Sequence, residues 1–316
     1  MPNIKHAFSS SVADGGDTSL VQPSNWNAEH SLETYLDFPA QTTTPSAPTA
    51  TGTARLYAGE LATHPLMYVT GYSEPDGYPI GPAIWYRNNG WWSGSGGASL
   101  NSFNMPSATV GTISNPAASI GNLQAMARRV QITSSSLAAS QASVRNNQVV
   151  CHTGGAHAST GSPGGYFLAG TVGTPLVVAS STVGFFGLRP ATGAPTVTTA
   201  PSTLLNSVGF GFHPADSTWS FWSASAGSPG ASTALTGFDV SASAWHRFFI
   251  HNPPGVGGSV IYWQAMNVHT GAVSSGSVAG TIPVNASLLA VHYYIQSTGA
   301  GSKAISFSSI FLETEH

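Results

Sequence analysis

Short segments that alternate apolar and polar side chains, each closed by a Gly, Pro or Ser cluster, recur from about residue 99 to the end of the chain. In Val260-Ile261-Tyr262-Trp263-Gln264-Ala265-Met266-Asn267-Val268-His269 the alternation sets Val260, Tyr262, Gln264, Met266 and Val268 on one face, the period-two signature of a strand. The segments Val208–Phe212, Trp245–His251, Leu289–Ile295 and Ile305–Leu312 follow the same rule. Between them lie turn-forming runs such as Gly227-Ser228-Pro229-Gly230 and Asn252-Pro253-Pro254-Gly255. Many short strands so punctuated predict an all-β chain whose residues 99–316 form an antiparallel β-sandwich, jelly-roll or concanavalin-like. One window, Leu123–Val130, reads as a short helix or a strand entry. No repeat of fixed period is present.

Upstream the pattern changes twice. Residues 1–53 mix charge, Asn and single aromatics without a period and end in the extended run Gln41–Gly52, rich in Thr and Pro. Residues 54–98 are aromatic and predict a small β module: strands at Pro65–Val69 and Pro82–Arg87, and a turn at Ser73–Gly77. Asn88-Asn89-Gly90 reads as a hairpin turn, and Ser93–Gly97 as a flexible joint before the sandwich.

Composition narrows the function. Only 7% of residues are Asp, Glu, Lys or Arg, against about a quarter in ordinary soluble domains; Gly, Ser, Thr and Ala take their place. Disorder is excluded by 41% hydrophobic residues and eight Trp, because disordered chains combine low hydrophobicity with high charge. A net charge of −3 with nine thinly spread basic residues offers no phosphate-tracking stripe, which argues against nucleic acid as a partner. No apolar run is long enough to span a membrane, and none marks a secretory signal at the start. Cys151 stands alone beside Val149 and Val150 and reads as a small buried hydrophobe, without disulfide or cysteine–zinc chemistry.

The search for catalytic groups is mostly negative. In the large domain the internal carboxylates are Asp216 and Asp239, and glycoside hydrolysis needs an acid and a base or nucleophile about 5 to 9 Å apart. Asp216, in His213-Pro214-Ala215-Asp216-Ser217, reads as capping its own turn, and Asp239 as part of a strand. The eleven His show no metal-binding spacing. His152 and His157 flank a Gly-rich loop and read as loop hydrogen-bonding groups. Asp14-Gly15-Gly16-Asp17 reads as a capped turn rather than a calcium loop. No nucleophile elbow and no phosphate loop occur. The expectation is a non-enzymatic chain with no cofactor and no metal.

Aromatic side chains remain. Trp and Tyr faces stack on the apolar faces of sugar rings, while Asn, Gln and His bond the hydroxyls. Two clusters suit that chemistry: Trp91 and Trp92, at the tip expected from Tyr86 to Gly90, and His213 with Trp219 and Trp222. A core or subunit-interface role is the preferred reading of these Trp. Trp219 and Trp222, three apart, place one indole inward in any strand.

The leader, with Ile4-Lys5-His6-Ala7-Phe8, Asp14-Gly15-Gly16-Asp17 and Val21-Gln22-Pro23-Ser24-Asn25-Trp26-Asn27-Ala28-Glu29-His30, resembles that of tailed-bacteriophage virion proteins of the tail-fibre or head-fibre type. Arg55–Leu61 with Pro65-Leu66-Met67, the stretches Val183–Arg189 and Pro201–Gly211, and Ile310–Glu315 resemble their middle and C-terminal parts. His64 and the Gly-rich joint after Trp92 depart from that pattern. The resemblance implies a virion protein assembled in the bacterial cytoplasm. It implies docking on other virion proteins through Asp14, Asp17, Trp26, Asn27 and His30, and a homotrimer. It also implies a tail-fibre or baseplate-associated receptor-binding role toward host surface carbohydrate. Alternatives are a capsid-decoration or head-fibre role and, more remotely, a glycan depolymerase.

Overall fold

The computed structural model describes the strand backbone of residues 3–4, 30–31, 40–41, 54–61, 64–71, 78–82 and 88–94. Beyond these it describes residues 107–121, 129–146, 148–154, 164–176, 181–194, 201–214, 216–228, 230–241, 244–253 and 260–314. The described residues hold strands and one 3-10 turn at Pro201–Thr203, with no α-helix. The strands are β1 (Asn3–Ile4), β2 (His30–Ser31), β3 (Ala40–Gln41), β4 (Ala54–Leu61), β5 (His64–Gly71), β6 (Tyr78–Pro82), β7 (Asn88–Gly94), β8 (Ser107–Val110), β9 (Thr112–Ser114), β10 (Val130–Thr133) and β11 (Ser140–Asn146). They continue as β12 (Tyr166–Leu176), β13 (Thr182–Arg189), β14 (Ser207–Phe212), β15 (Thr218–Ala224), β16 (Ala231–Asp239), β17 (Trp245–Asn252), β18 (Val260–Asn267), β19 (Val273–Ala279), β20 (Ala290–Ser297) and β21 (Ala304–Thr314).

Two antiparallel sheets make the sandwich, as the strand pattern predicts. Sheet I runs β19-β18-β17-β12-β21-β10-β9, with β7 also paired to β21. Sheet II runs β16-β15-β14-β13-β20-β11-β8. Smaller assemblies are the β1–β2 pair and a four-stranded sheet β3-β4-β5-β6. The alternation in β18 is observed: Ile261, Trp263 and Ala265 enter the main core, whereas Tyr262 joins an aromatic cluster with Phe167 and Phe249 on the other face.

The inner faces meet through aromatic rings. Phe248 of sheet I stacks on Phe210 of sheet II with centroids 4.2 Å apart and planes 13° from parallel. It also lies 5.0 Å from Trp219 and 6.0 Å from Phe186. Phe221 stacks on Trp263 at 5.0 Å, and Tyr293 meets Phe307 at 5.1 Å. The rings fit because sheet I carries Gly170 where they press: a Cβ there would lie 2.6 Å from Phe186 and 2.7 Å from the Tyr293 hydroxyl. Cys151 is buried in this core, as expected, and bridges to Leu289.

Two expectations for residues 54–98 are corrected. Asn88-Asn89-Gly90 does not turn; it opens β7, which pairs antiparallel with β21 from Asn88↔Thr314 to Gly94↔Ser309. The long edge of β21 supplies a partner that overrides the local turn preference. For the same reason Ser93 and Gly94 are in a strand rather than a joint. Of the strand expected at Pro82–Arg87, Pro82 closes β6, which pairs with β5 over Tyr78–Pro82, and residues 83–87 lie outside the described residues. Pro65–Val69 is strand as read. Gln41 lies in the two-residue β3; the rest of the Gln41–Gly52 run, the Ser73–Gly77 turn and most of Leu123–Val130 lie outside the described residues.

Replacing Phe248 by Ala removes a ring packed against those of Phe210, Trp219, Phe186 and His246, and urea unfolding should show a loss of about 3–5 kcal/mol. Gly170→Val overpacks the same contact and should cost about 1–3 kcal/mol. A Phe248→Ala midpoint matching the parent would refute the assigned packing.

Candidate functional site

The structure separates the sequence-nominated residues. Trp219 is fully buried in the sandwich core, edge-on to Phe212 at 4.9 Å, and is removed from the glycan-facing set. Trp222 lies three residues along the same strand β15, so its indole emerges on the opposite, outer face of sheet II. The two Trp therefore share strand β15 and face opposite sides of sheet II. Trp91 and Trp92 sit in β7 opposite Leu312 and Phe311, away from any hairpin tip; their side chains lie outside the described set. Asp14, Asp17, Trp26, Asn27 and His157 are also outside it, and His30 is placed only through its backbone pairing with Ile4.

Around Trp222 the sequence builds a compact polar–aromatic rim. Its neighbours across the ladder are Gly209 on β14 and Ser232 on β16. Trp222 is 8% exposed, its Nε1–H directed to the Gly211 carbonyl at 3.4 Å. The half-buried His213 ring stands edge-on to it at 4.9 Å. His213 is positioned by the turn that follows β14: its N–H donates to Asp216 Oδ2 at 2.7 Å, and the Asp216 N–H donates back to the His213 carbonyl at 3.1 Å. This is the capping role read for Asp216. Asp239 is in strand β16 as read, exposed and paired with Thr218. The fold thus brings the backbones of Asp216 and Asp239 to the same end of β15. The half-buried His213 and the exposed Ser232 supply an imidazole and a hydroxyl, groups that hydrogen-bond polyols, while the Trp222 N–H is already engaged by the Gly211 carbonyl.

A second cluster was not legible beforehand. On the outer face of sheet II, Arg145 of β11 lies opposite His292 of β20, and His292 opposite Gly187 of β13. Arg189, two residues on from Gly187, lies over the Tyr294 ring at 5.9 Å, and Tyr294 stacks on Phe185 at 5.4 Å. The stretch Pro190–Ala194 crosses above: the Thr192 carbonyl accepts the Arg145 Nε–H at 2.8 Å, and the Ala191 carbonyl lies 2.5 Å from His292 Nε2. His292 is fully buried. Its pKa is pushed down to about 3, chiefly by burial, then by the Arg189 charge and to a smaller degree by Arg145, with the Ala191 carbonyl opposing. The available signal was basic residues at outward positions of strands, diluted by the sparse charge of the chain.

His152 is buried, with Nδ1 2.8 Å from the Thr153 carbonyl. Among the described residues no group of three or more His, Cys, Asp or Glu is placed to hold a metal ion, and no helix is long and apolar enough to cross a membrane.

No protein-family model and no curated protein sequence matches this chain. Solved structures do match in fold. The lectin UEA-II complexed with galactose superposes with a TM-score of 0.50 at 9% identity, covering 72% of this chain and 99% of that one. Peanut lectin gives 0.46 at 9% identity, covering 72% and 98%. The β-glucanase of Bacillus licheniformis gives 0.40 at 13% identity, covering 72% and 93%. The two-sheet topology and the superposition on the UEA-II structure place the sandwich in the concanavalin-like jelly-roll fold class, as the strand pattern predicts.

Two buried histidines set an acid sensitivity. His246, held at Nε2 by the Asp239 carbonyl at 3.0 Å, is pushed down to about 4, mainly by burial. Folded-state values below the usual 6.5 mean that the unfolded chain binds more protons between pH 6.5 and about 4 for His246, and down to about 3 for His292. Their contribution is present above pH 6.5 and is lost as pH falls through that window, on the order of 1 kcal/mol per pH unit for each. Urea midpoints should be level from pH 7 to 8 and fall steadily from 6.5 to 4; a level profile down to pH 4 would contradict the neutral burial of both rings.

Proposed function

We propose that this chain is a virion protein of a tailed bacteriophage, acting as a tail-fibre or baseplate-associated receptor-binding protein that recognises a host surface glycan. The observation that carries the glycan part is the half-buried His213 ring packed edge-on against the largely buried Trp222 indole on the outer side of sheet II. The sandwich's fold likeness to a lectin complexed with galactose supports the same reading. The phage part is supported by the resemblance of the leader and of the middle and C-terminal stretches. In this reading residues 1–53 dock on other virion proteins, residues 54–98 act as a neck, and the sandwich is displayed outward in a homotrimer. The chain works by binding rather than by cleavage: Asp216 has an oxygen engaged by its own turn, which disfavours a depolymerase using Asp216 and Asp239.

A capsid-decoration or head-fibre role is the second reading. The burial of Trp219 favours it, because that indole serves packing and not recognition. Immunogold labelling of the encoding phage separates the two: label at the tail tip supports host recognition, and label over the head overturns it.

On a glycan array the full chain should retain host-type glycans at micromolar concentration. Trp222→Ala and His213→Ala should each weaken retention at least tenfold while the melting transition stays cooperative. An array without any retained glycan would defeat the recognition reading.

A further inference from the structure

We propose that Arg145, Arg189 and His292 form an oxyanion site on the outer face of sheet II, capped by the chain's own Pro190–Ala194 stretch and suited to the carboxylate of an acidic sugar. The choice of a sugar rests on the glycan reading above; the existence of the oxyanion site does not.

Two guanidinium groups share this face without an acidic partner. Arg145 donates to the Thr192 carbonyl at 2.8 Å and to Ser143 Oγ at 3.4 Å, both neutral. Arg189 has the Tyr294 ring beneath it, and its buried Nη1 has no hydrogen-bond partner. Among the described side chains the carboxylates are elsewhere: Asp216 and Asp239 at the far end of β15, and Glu313 on sheet I. Planar guanidinium groups match carboxylates with paired, charge-assisted hydrogen bonds, roughly twice as strong as neutral ones. Leaving the Arg189 donor unmet under a loop costs free energy that a ligand oxygen would recover.

His292 adds the sugar character. Its Nε2 lies 2.5 Å from the Ala191 carbonyl, which can only accept, so Nε2 carries the proton. Nδ1 is then an acceptor, buried and without a partner. The face therefore offers donors for an oxyanion beside an acceptor for a hydroxyl, the pair of groups that a uronic acid presents on one ring.

The cap explains why these groups are covered. The Ala191 and Thr192 carbonyls occupy positions that ligand oxygens would take, while Ala191, Gly193 and Ala194 are themselves exposed. A carboxylate displaces neutral carbonyls because its charge-assisted bonds are stronger.

The test is titration of the full chain with glucuronate, glucose and sulfate, read by calorimetry and by the imidazole NMR signals, with His292 assigned through His292→Gln. Glucuronate should bind at least tenfold more tightly than glucose and move the His292 signal; Arg189→Lys should weaken it about tenfold. The part-exposed Arg145→Gln should do the same while keeping the parent circular dichroism, which covers the case where the Arg189 variant does not fold. Sulfate binding as well as glucuronate supports the oxyanion site and overturns the sugar assignment. No response of His292 to glucuronate or sulfate overturns the proposal. A silent glycan array beside a positive sulfate titration would count against the proposed function alone.

Discussion

The contact of Phe248 with Phe210, Trp219 and Phe186 ties sheet I to sheet II, and much of the molecule is arranged around it. Rings this large fill the inter-sheet space only if the facing strand yields, which is the part played by Gly170. Aromatic burial also allows the low charge. With a core of Phe, Tyr and Trp supplying the apolar area, stability does not depend on ion pairs, and the outer faces are free to carry Ser, Thr and Gly. The Trp222–His213 pair begins from this arrangement, since β14 and β15 are fixed by their inward rings and point Trp222 the other way.

The sandwich was readable because period two is a physical signal. Val260, Tyr262, Gln264 and Met266 lie opposite in direction to Ile261, Trp263 and Ala265, and burial on the inner side enforces that pattern. What misled was local chemistry overruled from a distance. Asn88-Asn89-Gly90 has the composition of a tight turn, yet β21 offers a ladder of unpaired backbone groups to it. No window confined to residues 54–98 contains that information.

For the candidate site, residue type was legible and direction was not. The spacing of Trp219 and Trp222 demanded one inward indole without saying which; the register of β15 against β14 decided it. Asp216 was readable because its capping partner is three residues away. Arg145, Arg189 and His292 belong to three strands far apart in sequence, and only the β11-β20-β13 pairing gathers them. Sparse charge read along a line hides a concentration that exists only on a surface.

The place of β21 bears on how the chain is made. Of the described strands it is the last to leave the ribosome, yet it lies inside sheet I, between β12 on one side and β10 and β7 on the other. Until residues 304–314 emerge, β12 lacks a neighbour on one side and the core lacks Ile305, Phe307, Ile310 and Leu312. Closure of the sheet is thus deferred until residues 304–314 have emerged, when β21 must pair with strands far back in the sequence, a topology that folds slowly. A prematurely terminated product would keep open strand edges and an unfinished core, which marks it for aggregation or proteolysis. The topology itself therefore distinguishes chains that reach β21 from those that stop short.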